Sequence, residues 1–207
     1  MDIQKLLERG DQLEARVREL FEMTPSEILD REIASSIMCS VALEHANSFR
    51  LLSHSGNYTS AISLCRLQYE TMVRALWLFY AASEEAVAKI TSVLTSENEN
   101  KANSLPMLSE MLKSMSGKAP QAALDMLEEF KKYSWKSLSS FVHGGIHALN
   151  RHAIGYPEIL LDQIIRMSNA LNTMTGMMLA ILSGDQRIVT AFSRIQPEFA
   201  DCLPELK

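Results

Sequence analysis

The sequence predicts an all-α protein, a single-domain antiparallel helical bundle with about seven to nine helices. Three observations carry that reading. Only 8 Gly and 6 Pro in 207 residues leave too few turn residues for a many-stranded sandwich or barrel. Apolar residues recur every three or four positions over long stretches, which is the period of a helix face. A content of 47% hydrophobic and 22% charged residues is that of one ordinary globular domain, long enough to bury a core without metals or disulfides. The predicted organisation is an N-terminal amphipathic helix over 1–24, a helical bundle over 25–195 and a C-terminal tail over 196–207.

In order along the chain, Ile3, Leu6, Leu7, Leu13, Val17, Leu20 and Phe21 mark the apolar face of the first helix. Thr24-Pro25-Ser26-Glu27 reads as a capping box opening a long second helix that ends near 53–56. The next helix, about 57–82, is apolar nearly all round and is therefore central. Residues 83–94 read as a further helix, and 95–104, without a large apolar residue, as an exposed loop. Short helices are expected at 105–115 and 120–132. Ser134 is expected to cap another that runs to about Ala153. Gly155-Tyr156-Pro157 separates it from a helix to about Leu182, and a short helix at 185–194 precedes the tail.

Composition limits the function. A formal charge of −5 argues against broad, salt-driven attraction to nucleic acid but leaves room for a local basic cleft. The charged N-terminus does not read as a secretory signal, and no stretch reaches the roughly 20 apolar residues of a membrane span. Cys39, Cys65 and Cys202, an odd number without close spacing, fit neither a disulfide framework nor a structural zinc site. They point to a reducing compartment, the cytoplasm. No cofactor and no membrane partner are expected.

Two polar stripes are the candidate site. Arg66, Glu70 and Arg74 stand four residues apart on one face of the most apolar helix. Unpaired burial of such charges would cost several kcal/mol, so they must pair with each other, with another helix or with a polar cavity. One reading is an internal ion-pair ladder. In the other, Glu70 fixes a guanidinium whose fork then engages an anion, phosphate above all. His45 and Arg50 on the preceding helix are candidates for the same cavity.

The second stripe joins Ser139, His143, His147 and Arg151 in four-residue steps. Gly144 and Gly145 fall between them, and within a helix each would cost roughly 0.8 to 1 kcal/mol relative to alanine, so a close approach there is expected. His143 and His147 are the acid/base candidates, set against a purely hydrogen-bonded structural role. A zinc site is not expected, because no glutamate accompanies the His-x-x-x-His spacing and no third ligand lies near. Cys65, in an apolar helix, reads as inert core.

At these stripes the sequence resembles the HEPN-type all-helical proteins, including abortive-infection and toxin-like bacterial members. Glu70-Thr71-Met72-Val73-Arg74 is similar to the family's Glu-x-x-x-Lys/Arg element, and 139–147 to its later motif helix. The order of elements over about 33–182 is compatible. The resemblance implies metal-independent RNA cleavage, in bacterial stress or phage defence, at a site formed across a homodimer. In that scheme His143 is general acid or base, assisted by His147 or Lys136, while Arg74, oriented by Glu70, stabilises charge on phosphate. Arg66, Lys136, Ser139 and Arg151 complete the substrate-binding set. Where the family has arginine, four to six intervening residues and then the histidine, this chain has Leu138, Ser137 and Lys136 before His143, and the lysine keeps the charge and loses the bidentate fork. The alternative is a non-catalytic helical module that binds a nucleotide, a phosphorylated ligand or a protein partner.

Overall fold

The computed structural model describes residues 2–21, 30–92 and 105–205, and their regular structure is helical, with no strand among them. In chain order the helices are α1 (Ile3–Phe21), α2 (Asp30–His54), α3 (Tyr58–Tyr80), α4 (Glu84–Thr91) and α5 (Leu108–Ser114). They continue as α6 (Gln121–Val142), α7 (Ile146–Ile154), α8 (Glu158–Leu182), α9 (Gln186–Phe192) and α10 (Ile195–Glu198), closed by a 3-10 turn at Ala200–Cys202. The expected capping box at Thr24 to Glu27 and the loop expected at 95–104 lie outside the described residues.

α3 is the centre of the bundle, as its all-round apolar pattern requires. Tyr69, Met72, Val73, Leu76, Trp77 and Leu78 are all buried, and α3 packs against α2, α5, α6 and α8. α2 and α3 form an antiparallel hairpin whose tight turn is closed by Gly56 N–H on Ser53 O and Asn57 N–H on Leu52 O. α1 packs mainly on α8 and also on α2, inserting Leu6, Leu7, Leu13 and Val17, each nearly sealed from solvent. Each contributes about 2 kcal/mol by burial, which is what holds a helix that would be marginal alone. α1 lies parallel to α8, with Gly10 beside Asn169 and Val17 beside Gly176.

The structure corrects the reading of α6 at both ends. Ser134 is not a cap; it sits mid-helix and donates its hydroxyl to Met167 Sδ at 3.5 Å. The reason is the buried row Leu124, Leu127, Phe130, Leu138 and Phe141, which continues through that position with no glycine or proline to stop it. The helix instead ends at Val142, eleven residues short of the terminus expected near Ala153. Gly144 adopts φ +63°, its N–H donates to Phe141 O, and Gly145 N–H donates to Ser140 O at 2.6 Å. That pair of bonds is a Schellman cap, so the two glycines terminate one helix and open the next rather than lying inside a helix. Ser140 Oγ then accepts from His147 N–H at 3.0 Å and serves α7 as a borrowed cap.

The described residues beyond α9 are folded onto the bundle. Ile195, Phe199, Cys202 and Leu203 are buried, Arg9 stacks on Phe199 with 4.1 Å to the ring centre, and Arg9 pairs with Asp201 at 3.1 Å. Arg166 Nη1 donates to Asp201 O and Leu203 O at 2.8 and 3.0 Å.

Candidate functional site

The two polar stripes meet, though not in the expected form. Helix periodicity aims Arg66 and Glu70 of α3 toward the C-terminal half of α6. Arg66 Nε donates to Glu70 Oε1 at 2.8 Å, its Nη1 donates to Ser139 Oγ, and its guanidinium lies 3.9 Å from the Trp135 ring centre. The pair is shielded without being sealed, with side-chain exposures of 12% for Arg66 and 19% for Glu70. Behind it Tyr69 fixes the register of α3 on α6. Its hydroxyl donates to Leu127 O at 2.9 Å, its ring stacks on Phe130 at 4.3 Å, and its edge meets Trp135 at 6.0 Å. Burial and the neighbouring carboxylates of Glu128 and Glu70 push the Tyr69 phenol well above its ordinary range, so it stays a neutral hydrogen-bond donor.

Arg74, one turn on, is half-buried, and its Nε is enclosed without a hydrogen-bond partner among the described residues. The ladder is thus built on one side only: Glu70 holds Arg66, and Arg74 keeps donor capacity to spare.

The second stripe is divided by the Schellman cap. Ser139 belongs to α6 and reaches Arg66. His143 is the exposed residue at the α6 C-cap, one turn beyond Ser139. His147 and Arg151 belong to α7, so the expectation that all four share one helix face is corrected. His147 is exposed and Arg151 half-buried. Lys136 is exposed on α6. Trp135 and Lys136 also border an open groove of about 960 Å³ between α5 and α6.

Arg50 does not join this site. It turns to α1, with Nε on Asp11 Oδ1 at 3.0 Å and Nη2 paired with Glu14. Burial lowers its pKa to about 10, against the upward pull of Asp11. His45 is half-buried, and burial lowers its pKa while Glu44 opposes the shift. Cys65 is sealed in the core and its thiol is pushed up to about 12, so it offers no thiolate near neutrality. Among the described residues no cluster of three His, Cys, Asp or Glu is arranged to hold a metal. None of their helices is long and apolar enough to cross a membrane.

Sequence reasoning missed Trp135. The signal was present, since Trp135 stands four residues before Ser139 and so on the same face of α6, but an aromatic at helical spacing reads first as core.

The comparisons bear on the bundle and on both stripes. Neither the curated proteins nor the solved structures include a match to this chain. A family profile matches residues 39–205, which takes in Arg66, Glu70, Ser139 and His143 and leaves α1 outside. By that match the chain belongs to the family of unknown function DUF6988.

Proposed function

We propose that this is a HEPN-like protein acting as a metal-independent endoribonuclease of a bacterial stress or phage-defence system, working in the cytoplasm. The observation that carries the proposal is the junction of the two motif segments. Arg66, fixed by Glu70, grips Ser139, one turn from His143 at the open end of α6. His143, exposed at the helix end, exchanges a proton with a ribose 2′-hydroxyl in this reading. Lys136, on the same face of α6 as Ser139, supplies charge for the phosphate, whereas Arg74 stands two turns along α3 from Arg66 toward the Leu127 end of α6 and does not face His143. His147 and Arg151, on α7, act only if substrate extends past the glycine cap.

The acting species in this reading is a homodimer. Ile146, Leu149, Ile154 and Ile159 stand 65 to 76% exposed around α7 and the start of α8, a concentration of large apolar side chains that favours association. Light scattering at micromolar concentration should give twice the 23.2 kDa chain mass, and Leu149→Asp with Ile154→Asp should halve it. A monomer mass for the unaltered protein would refute the dimer.

The deciding assay is RNA degradation with chelator present. His143→Ala should lower the rate by about 10² or more, the usual contribution of a general acid or base. Equal cleavage by both proteins, or by neither, sinks the catalytic proposal. Arg66's fork is already occupied by Glu70, Ser139 and Trp135, and Lys136 replaces the expected arginine. Those two facts favour a second reading, a non-catalytic module that binds a nucleotide, a phosphorylated ligand or a protein partner. A nucleotide at 100 times its Kd should then stabilise the fold by about 2.7 kcal/mol in a thermal-shift screen.

A further inference from the structure

The groove between α5 and α6 shares Trp135 and Lys136 with the site above but extends well beyond it, and has a character the whole chain lacks. Its rim carries Lys113 from α5 and Lys131, Lys132 and Lys136 from α6, against the two carboxylates of Glu128 and Glu129. The balance there is positive, in a protein whose formal charge is −5. Leu112 and Leu124, both buried, contribute its apolar floor, and Tyr133 stands 64% exposed at its edge. A basic rim around an apolar, aromatic-edged channel is what a flexible polyanion with flat bases requires. The cations follow the backbone while rings and aliphatic surface take the bases.

The direction of the groove matters as much as its charge. Lys132, Lys136, Ser139 and His143 follow one another at intervals of four, three and four residues, so they run down one face of α6. That face is about 16 Å long. It leads from the groove, past the serine that holds Arg66, to the histidine at the helix end.

We infer that the Lys113, Lys131, Lys132 and Lys136 groove is the track of a single-stranded RNA segment that feeds the Arg66–His143 end of α6. The inference rests on the RNA-directed function proposed above and adds to it the binding surface and the strandedness of the substrate. A duplex is a poorer occupant, because its paired bases offer no ring face to the channel.

The test separates binding from cleavage by using a fluorescein-labelled 2′-O-methyl oligouridylate, which lacks the free 2′-hydroxyl that cleavage needs. Anisotropy titrations of the full chain are made across a range of salt, with circular dichroism to show that each variant is folded. Lys132 and Lys136 are exposed, so Lys132→Ala with Lys136→Ala should fold normally. That variant should bind about tenfold more weakly, and its log–log salt slope should be shallower by about 1.4, the loss of two phosphate contacts on a single strand. The control pair Lys5→Ala with Lys89→Ala, exposed on α1 and α4, should change neither. Unchanged affinity in the groove variant, an equal loss in the control, or no binding by the unaltered chain each overturns the track. Cleavage that persists without groove binding leaves the ribonuclease proposal standing. Groove binding without cleavage of ordinary RNA removes that proposal and leaves the track.

Discussion

Two arginine–glutamate pairs in this molecule make opposite use of the same chemistry. Arg50 and Glu14 join α2 to α1 and are 3% and 4% exposed, with Asp11, Arg18 and His54 in the same cluster. Arg66 and Glu70 belong to one helix, stay within reach of solvent and turn their remaining donors toward α6. The first is a rivet, in which desolvation is offset only while both partners are present. The second stays open to solvent, a carboxylate holding a guanidinium in a fixed pose against Ser139 and Trp135. Ion pairing alone does not distinguish the two; enclosure does.

The largest effect expected to separate them is Glu14→Gln. Arg50 then keeps only the half-exposed Asp11, and the loss should be about 3 kcal/mol, a fall in Tm of roughly 6 to 12 °C. Replacing both, as Arg50→Met with Glu14→Leu, should recover most of that loss, and failure to recover would show that the pair does more than offset its own burial. Glu70→Gln should cost less, about 1 to 2 kcal/mol, because Arg66 keeps Ser139, Trp135 and access to water. Equal losses at Glu14 and Glu70 would erase the distinction. Gly144→Ala tests the cap that presents His143, since φ +63° strains any side chain there and about 1 to 2 kcal/mol should be lost.

The last effect is absent near neutral pH and appears only in alkali. Burial pushes Cys39 and Cys65 up to about 12, and Cys202, also raised by Asp201, to about 11. In the unfolded chain thiols ionise near 9, so between these values the folded state holds more protons and stability falls as pH rises from 9 toward 12. Cys39→Ala with Cys65→Ala should flatten that decline in a Tm-against-pH series, and at pH 8 a thiol reagent should label the folded protein far more slowly than the unfolded one.

Much of this was legible in the residues. The apolar face of α1, the all-round burial of α3 and the break at 155–157 follow from local patterning, because helix period and backbone-restricting residues act within a few positions. The Arg66–Glu70 pair was legible for the same reason, four residues being one turn. The glycine pair was misread because a C-cap glycine and a close-packed glycine leave the same mark on a sequence, and only the backbone angle at Gly144 tells them apart. Ser134 was misread because a serine before an apolar run is a cap only if the preceding helix has stopped.

What lay beyond the sequence was partnership between distant segments. Arg50 and Arg66 are both arginines on apolar helices with a glutamate to meet, and nothing nearby in the chain assigns one to α1 and the other to α6. The sequence by itself determined that these charges stand on helix faces and must be paired. The tertiary structure alone decided which would be sealed and which left reachable, because burial is set by the packing of whole helices rather than by their order.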